Sequence, residues 1–207
     1  MKLCDFGLSR GLSENRADLT EYVVTRWYRA PEIMLSCPSY DSKIDVWSVG
    51  CIFGEMFERK PMFPGTDYIH QLKLIMKVVG TPVEEELGFV SNEKARRFVL
   101  SLPKYERVNL KTTYGKASDD AVDLMGKMLM LDPNQRISVR AALDHPYFAE
   151  IRDPECEGQA QRSIDWGDIE TCELSKANLQ RLFLIDFEAL ERGRELPDTP
   201  RPPDAAA

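Results

Sequence analysis

The sequence predicts a mainly α-helical fold. Apolar residues recur at helical spacing over most of the chain, and residues that commonly cap helices precede several of these stretches. Glycine or proline follows many of their ends, whereas the alternating pattern of a β-strand is scarce. With 207 residues, 43% of them hydrophobic and 29% charged, the chain can form a domain with a substantial core.

A long loop is expected first, followed by a buried helix. Residues 8–30 are polar and lack periodicity, and loops of this length are commonly functional. The helix expected from Asp41 onward carries apolar residues around most of its circumference, so we expect it to be buried on nearly all sides. Those residues are Ile44, Val46, Trp47, Val49, Cys51, Ile52, Met56 and Phe57.

The later helices are recognised by their ends. The expected N-terminal caps are Thr66, Ser118, Ser138 and Ser175, and a shorter helix is expected at 92–100. The expected stops are Gly80, Pro103 and Pro146. The Pro-rich segment 193–207 lacks apolar residues that could pack, so we expect it to be disordered.

Composition argues against several classes of function. The net charge of −7 argues against a nucleic-acid partner, because proteins that bind polyanions usually have a basic face. No apolar run approaches the roughly 18 residues of a membrane span, and the N-terminus has no signal-peptide pattern. The five cysteines are scattered and odd in number, which favours reduced thiols over disulfides or a zinc site. We therefore expect a cytoplasmic and possible nuclear location, with no membrane partner.

Five motifs occur in order along the chain. They are Asp-Phe-Gly at 5–7, Thr-Glu-Tyr at 20–22, Arg-Trp-Tyr-Arg-Ala-Pro-Glu at 26–32, Asp-Val-Trp-Ser-Val-Gly at 45–50 and Asp-Pro-Asn-Gln-Arg at 132–136. From residue 1 to about 190 the chain resembles the mitogen-activated protein kinases, most closely the extracellular-signal-regulated branch with its Thr-Glu-Tyr motif. The resemblance implies the helical large lobe of a protein kinase, without the small lobe or the catalytic loop. Its parts would be an activation segment (1–32), large-lobe helices (33–149) with an insert at about 66–115, a C-terminal extension (150–192) and a disordered tail (193–207).

The resemblance also assigns nucleotide chemistry. Asp5 would bind the Mg²⁺ that bridges the phosphates of ATP, because a hard cation needs an anionic oxygen ligand. Cys4 would line the nucleotide pocket, or would simply be a small buried residue. A kinase also needs a Gly-rich loop, a strand lysine, and a catalytic Asp and Asn, which four residues before Asp5 cannot encode. We therefore expect the isolated chain to bind ATP weakly or not at all and to be inactive.

By the same resemblance, Thr20 and Tyr22 would be phosphorylated to activate the enzyme. Arg26 and Arg29 resemble the pair that receives the phosphotyrosine, and Arg10 resembles one arm of the phosphothreonine site. Guanidinium groups suit this role because a phosphate orders a loop only where cationic donors can bind it.

Substrate selection is implied at Val24, Thr25 and Arg29. In the family, the residue equivalent to Val24 has a positive φ and turns its carbonyl toward the arginine equivalent to Arg29. The substrate residue after the phosphoacceptor then finds no acceptor for its N–H, and proline has no N–H to leave unsatisfied. Ser/Thr-Pro sites are therefore expected. A positive φ at Val24 is a specific expectation, because β-branched residues rarely adopt it.

Two further carboxylates are implied to be structural. Glu32 and Arg136 resemble a buried ion pair that ties the end of the activation segment to later helices. Asp45 resembles a carboxylate that accepts from the catalytic-loop backbone, and without that loop we expect it to be hydrated.

Two docking surfaces are implied. A pocket for Phe-containing motifs would be formed by Met34, Leu35, Tyr68, Ile69, Leu72 and Phe98, although ordinary helix core explains the same pattern equally well. An acidic docking patch would be formed by Asp153, Glu155 and Glu157, with Cys156 where relatives usually carry an aspartate. The last helix would expose apolar residues such as Leu179, Leu182 and Phe183 when the small lobe is absent.

The sequence thus predicts part of a proline-directed Ser/Thr protein kinase of the mitogen-activated family. Its expected partners are an upstream dual-specificity kinase, Ser/Thr-Pro protein substrates and phosphatases. The alternative is a catalytically inactive binding module that sequesters activators or substrates through the pocket around Tyr68.

Overall fold

The computed structural model describes residues 25–35, 41–158, 173 and 175–192, and within these ranges all regular secondary structure is helical. The α-helices are α1 (Pro31–Met34), α2 (Lys43–Glu58), α3 (Tyr68–Val79), α4 (Glu93–Ser101), α5 (Leu110–Thr113), α6 (Asp119–Met128), α7 (Val139–Leu143) and α8 (Lys176–Glu191). Short 3₁₀ helices span Arg26–Tyr28, Glu84–Leu87, Pro146–Phe148 and Pro154–Cys156. The prediction of a mainly α-helical fold is therefore confirmed.

The chain divides into two compact units. One contains residues 17–154, and the other contains residues 1–16 together with 155–207. All described helices from α1 to α7 belong to the first unit, and α8 belongs to the second. The predicted disordered tail at 193–207 lies outside the described residues.

Several of the described helices begin at side chains that cap them. Asn92, Ser118, Ser138 and Ser175 each accept hydrogen bonds from backbone N–H groups of the first turn, which would otherwise lack partners. The prediction of Thr66 as the cap of α3 is wrong. Asp67 is extended and its Oδ1 accepts from the His70 N–H at 2.8 Å, so Asp67 caps the helix. The helix ends at Gly80, whose φ of 91° suits a residue without a side chain.

Helix α2 lies at the centre of the first unit, but one of its faces is exposed. Ile44, Val46, Trp47, Gly50 and Cys51 are buried where the 3₁₀ helix Arg26–Tyr28 and α6 pack against α2. The exposed side chains on the other face are Val49 (50%), Ile52 (49%) and Met56 (71%). The expectation of burial on nearly all sides is therefore wrong.

The main core surrounds Trp47. Its indole stacks on Phe63 with ring centroids 5.9 Å apart, and both side chains are fully buried. Helix α3 contributes Leu72, Ile75 and Met76 to the same cluster. Since each such side chain contributes roughly 1.5–3 kcal/mol when buried, this cluster is the main source of stability for the segments that rest on it.

In the second unit, α8 has no buried residue. Apolar side chains along it are exposed, for example Leu179 at 49% and Phe183 at 75%. Among the described residues, no helix combines the length and the hydropathy that crossing a bilayer requires.

Candidate functional site

The candidate site is the segment 25–32, which the sequence places at the end of an activation segment. It forms the 3₁₀ helix Arg26–Tyr28 and then enters α1, where Pro31 occupies the first turn and suits a position whose N–H has no helical partner. Thr25 is exposed, with φ −47° and ψ 121°. The segment packs against α2 and α3, which fixes it to the main core.

Two hydrogen bonds join Tyr28 to α2. Ser48 Oγ donates to the Tyr28 carbonyl at 2.8 Å, and the Tyr28 hydroxyl donates to Glu55 Oε2 at 2.7 Å. The bond to the Glu55 carboxylate, assisted by desolvation, raises the pKa of Tyr28 because it favours the protonated phenol. Tyr28 therefore anchors the segment to α2 through both its main chain and its side chain.

The other side of the segment is bound to the turn before α3. Trp27 Nε1 donates to the Gly65 carbonyl at 3.0 Å, and Arg26 Nη1 donates to the Thr66 carbonyl at 2.7 Å. Gln71 from α3 donates through Nε2 to the Trp27 carbonyl at 3.4 Å and accepts from the Gly65 N–H at 2.9 Å. The sequence does not predict this role for Gln71, whose signal is limited to a polar residue inside the apolar stripe of α3.

Glu32 and Arg136 form a buried ion pair. Arg136 Nη1 and Nη2 lie 2.7 and 2.8 Å from the two oxygens of Glu32, and both side chains are almost completely buried. Arg136 also donates to the carbonyls of Met130 at 3.1 Å and Lys43 at 2.6 Å, and its guanidinium lies 5.2 Å from the centre of the Trp47 ring. The structure thus brings together the two residues that the sequence pairs, and the pair fixes the start of α1.

The two described arginines that the sequence predicts to bind the phosphotyrosine lie within this segment. Arg26 is half-buried and bound to the turn before α3, and Arg29 is half-buried and has interaction partners. The other residues assigned to nucleotide binding, phosphorylation, phosphate binding and substrate selection lie outside the described residues; they are Cys4, Asp5, Arg10, Thr20, Tyr22 and Val24. Their predicted roles remain predictions.

The residues assigned to the Phe-motif pocket divide into two sets. Met34, Leu35 and Leu72 are buried in the main core, so they serve the fold directly. Ile69 is 50% exposed, while Tyr68 and Phe98 are partly buried against that core. Only the second set offers surface that a docking peptide could reach.

The three acidic residues predicted to form a docking patch fall in both units. Asp153 and Glu155 are exposed and Glu157 is half-buried, but the unit boundary lies between Pro154 and Glu155. Each of them has interaction partners.

Two further titratable side chains of the described residues, Cys51 and Asp45, have pKa values raised by their surroundings. Cys51 is unpaired and buried, and desolvation raises the pKa of its thiol, which makes it unreactive. Asp45 is exposed, yet nearby protein atoms displace part of its water and raise its pKa. No cluster of His, Cys, Asp and Glu that could hold a metal occurs in the described ranges.

Comparison with known proteins agrees with these features. The family model "Protein kinase domain" matches residues 1–148. The chain belongs to the protein kinase family.

Within that family, the chain is similar to mitogen-activated protein kinases. It is 50% identical over 190 residues to mitogen-activated protein kinase 3 of Arabidopsis thaliana, covering 92% of the chain and 51% of the relative. Mitogen-activated protein kinase 4 of Arabidopsis thaliana is 48% identical over 183 residues, covering 88% and 48%. Mitogen-activated protein kinase 3 of Oryza sativa subsp. japonica is 54% identical over 153 residues, covering 74% and 41%. The chain spans about half the length of the curated relatives it matches, and the resemblance read from the motifs is confirmed.

Proposed function

We propose that the chain is part of a mitogen-activated protein kinase and carries its activation segment and substrate-binding side. The parent enzyme transfers the γ-phosphoryl group of ATP to Ser or Thr before Pro. The observation that carries the proposal is the anchoring of segment 25–32 by Tyr28, Trp27 and Glu32. In a chain with these relatives, such a segment gives a substrate a rigid surface to bind, and rigid positioning is the main contribution of protein to phosphoryl transfer.

The nucleotide would supply the phosphoryl group when bound with Mg²⁺. Asp5 would be one metal ligand and Cys4 would line the pocket, but neither is among the described residues. The 207 residues contain none of the Gly-rich loop, strand lysine, catalytic Asp and Asn that the resemblance requires upstream of Asp5. We therefore propose weak or no ATP binding and no catalysis by this chain alone.

Selectivity for Ser/Thr-Pro would arise at Val24, Thr25 and Arg29. A substrate with any residue other than proline after the phosphoacceptor would bury an unpaired N–H, at a cost of about 1–3 kcal/mol. Because Tyr28 and Trp27 hold the main chain between Thr25 and Arg29, this penalty could not be relieved by a small movement of the segment.

Activation would follow phosphorylation of Thr20 and Tyr22 by an upstream dual-specificity kinase. Arg26 and Arg29 lie on the anchored segment, and Arg10 would add a further guanidinium. A guanidinium carries five N–H donors, so the bond from Arg26 Nη1 to the Thr66 carbonyl leaves donors for a phosphate.

Partner binding would use the exposed part of the Phe-motif pocket, at Tyr68, Ile69 and Phe98, while a docking role for the acidic residues Asp153, Glu155 and Glu157 stays a prediction from the sequence. The partial exposure of this pocket also supports the second candidate function, a binding module without catalysis. Titration of the chain with a Phe-motif peptide distinguishes this function: we expect saturable binding that Tyr68→Ala abolishes, and no saturable binding would exclude it.

A chimeric enzyme tests the proposed kinase function. The 190 matched residues of the Arabidopsis thaliana mitogen-activated protein kinase 3 would be replaced by those of this chain. We expect the chimera, once phosphorylated by an upstream kinase, to phosphorylate a Ser-Pro peptide in preference to a Ser-Ala peptide. A matched chimera with Thr20→Ala and Tyr22→Phe should stay near its basal rate. A chimera that is active but lacks the proline preference would contradict the proposal.

A further inference from the structure

Gln71 is a fully buried polar residue in the apolar core of α3, and its polar atoms point to the candidate site. We propose that Gln71 is a positioning residue for the substrate-binding segment, because its carboxamide sets the path of the main chain at Trp27. The term "substrate-binding" rests on the proposed function, whereas the positioning of Trp27 does not.

The geometry requires an amide at this position. Oε1 accepts from the Gly65 N–H at 2.9 Å, so Nε2 is the atom that faces the Trp27 carbonyl at 3.4 Å. If the amide were flipped, Nε2 would face the Gly65 N–H, which is also a donor, and Oε1 would face the Trp27 carbonyl, which is also an acceptor. A carboxylate would keep the first bond but place a buried negative charge against the Trp27 carbonyl.

Gly65 is required for this close approach. A Cβ added there would lie 2.2 Å from Gln71 Oε1 and 2.7 Å from Gln71 Cα. Since Gln71 Cα is backbone, a side chain at residue 65 has to displace the turn or α3. The Gly65 carbonyl also accepts from Trp27 Nε1, so a displacement of the turn would also move Trp27 through this second hydrogen bond.

Two consecutive carbonyls of the segment are therefore held by side chains from different helices. Gln71 of α3 binds the carbonyl of Trp27, and Ser48 of α2 binds the carbonyl of Tyr28. This stretch lies between Thr25 and Arg29, the residues proposed to receive the substrate. A rotation of the peptide plane at Trp27 would therefore move both Thr25 and Arg29.

Fluorine NMR of the full 207-residue chain, labelled with 5-fluorotryptophan, tests the proposal. The chain has three tryptophans, and Trp27→Phe and Trp47→Phe assign two resonances. In Gln71→Glu at neutral pH we expect the Trp27 resonance to move while that of Trp47 stays. On acidification it should return toward the wild-type position, because a protonated carboxyl can donate to Trp27 and accept from Gly65 as the amide does.

Matched controls distinguish a change at Trp27 from the effects of acid or of an added negative charge elsewhere in the chain. The wild-type chain at the same acidic pH controls for acidification, and Gln180→Glu makes the same change at an exposed position of α8. Gly65→Ala should move the Trp27 resonance without any change in residue 71. If Gln71→Glu does not fold, Gln71→Met, which removes both amide bonds at similar side-chain length, decides: a displaced Trp27 resonance with Trp47 unmoved supports the proposal, and an unmoved Trp27 resonance overturns it.

Two results would overturn the proposal. One is an unmoved Trp27 resonance in Gln71→Glu at neutral pH, and the other is a joint movement of Trp27 and Trp47 that acid does not reverse. In the active chimera, Gln71→Glu should also lower the ratio of kcat/KM for Ser-Pro over Ser-Ala, and an unchanged ratio would limit Gln71 to a structural role. A chimera that lacks proline preference from the start would refute the proposed function, while the NMR result would still decide the positioning of Trp27.

Discussion

At Arg136, a single guanidinium joins the beginning of α1, the beginning of α2 and the loop after α6. It binds Glu32 through two nitrogens and donates to the Lys43 and Met130 carbonyls. Lys43 Nζ in turn donates to the Arg136 carbonyl. Since both charges are buried, they stabilise the fold only as a pair, and losing one leaves the other unpaired in a medium of low polarity.

We predict that Glu32→Ala lowers the free energy of unfolding by about 3–5 kcal/mol, because Arg136 then remains charged and buried. Urea unfolding of the chain measures this change. Glu93→Ala is the matched control, since Glu93 forms an exposed ion pair with Arg97 and its loss should change stability little. Equal effects of the two substitutions would show that the Glu32 pair does not have this structural role.

Among the helices, α6 is joined to the 3₁₀ helix Pro146–Phe148 by a pH-sensitive contact. Asp123 Oδ2 lies 2.7 Å from Lys127 Nζ and 2.9 Å from the buried His145 Nε2. His145 Nδ1 accepts from the Tyr147 N–H, and Lys127 Nζ also lies 3.2 Å from His145 Nε2, so the three side chains of Asp123, Lys127 and His145 form one polar cluster. The bonds from Lys127 and then His145 lower the pKa of Asp123 below its usual 3.8.

We predict that Asp123→Asn destabilises the chain at neutral pH and that its effect fades in acid. A lowered pKa in the folded state contributes stability above the unfolded value of 3.8, and that contribution is lost as the pH falls through the folded value. The difference in urea midpoint between wild type and variant should therefore shrink as the pH falls below 3.8. A difference that is independent of pH would disprove the link.

The packing of α2 on α6 depends on Gly50. A Cβ there would lie 2.9 Å from Met128 Cβ and 3.1 Å from Leu129 Cδ2, so the two helices would have to separate. We predict that Gly50→Ala costs about 1–3 kcal/mol through overpacking, more than the roughly 0.5–1 kcal/mol that alanine gains in a helix. Thermal unfolding measures the net change.

Gly88→Ala is the control for this substitution. Gly88 has φ −57°, and no heavy atom outside Gly88 and its two chain neighbours lies within 4 Å of an added Cβ. Alanine should therefore stabilise the chain there by roughly 0.4–1 kcal/mol, by restricting the unfolded state. If Gly50→Ala is as favourable as Gly88→Ala, the close approach of α2 and α6 is not required.

At the scale of the whole molecule, the sequence predicts several helix starts, whereas the choice between neighbouring cap residues or between helix faces depends on the fold. Ser118, Ser138 and Ser175 could be recognised as caps because a cap depends on its own first turn. Thr66 and Asp67 are adjacent residues of the capping type, and only the backbone path decides that Asp67 reaches the His70 N–H. The apolar residues of α2 likewise give no indication of which face is covered.

The candidate site shows the same division. The motifs pair Glu32 with Arg136 across 104 residues because the family resemblance carries that long-range information. Gln71 and Gly65 have no such signal, since a buried polar residue is recognised only when its partners are known. The phosphorylation residues Thr20 and Tyr22 lie outside the described ranges, so their roles rest on the resemblance.

The central proposal is that this chain carries the activation segment and the substrate-binding side of a mitogen-activated protein kinase. Its most direct test is phosphorylation of a Ser-Pro peptide, with ATP and Mg²⁺, by the 207-residue chain alone and by the chimera. We predict no transfer by the chain alone and proline-dependent transfer by the activated chimera. Magnesium-dependent turnover by the chain alone, or transfer by the chimera that is indifferent to proline, would contradict the proposal.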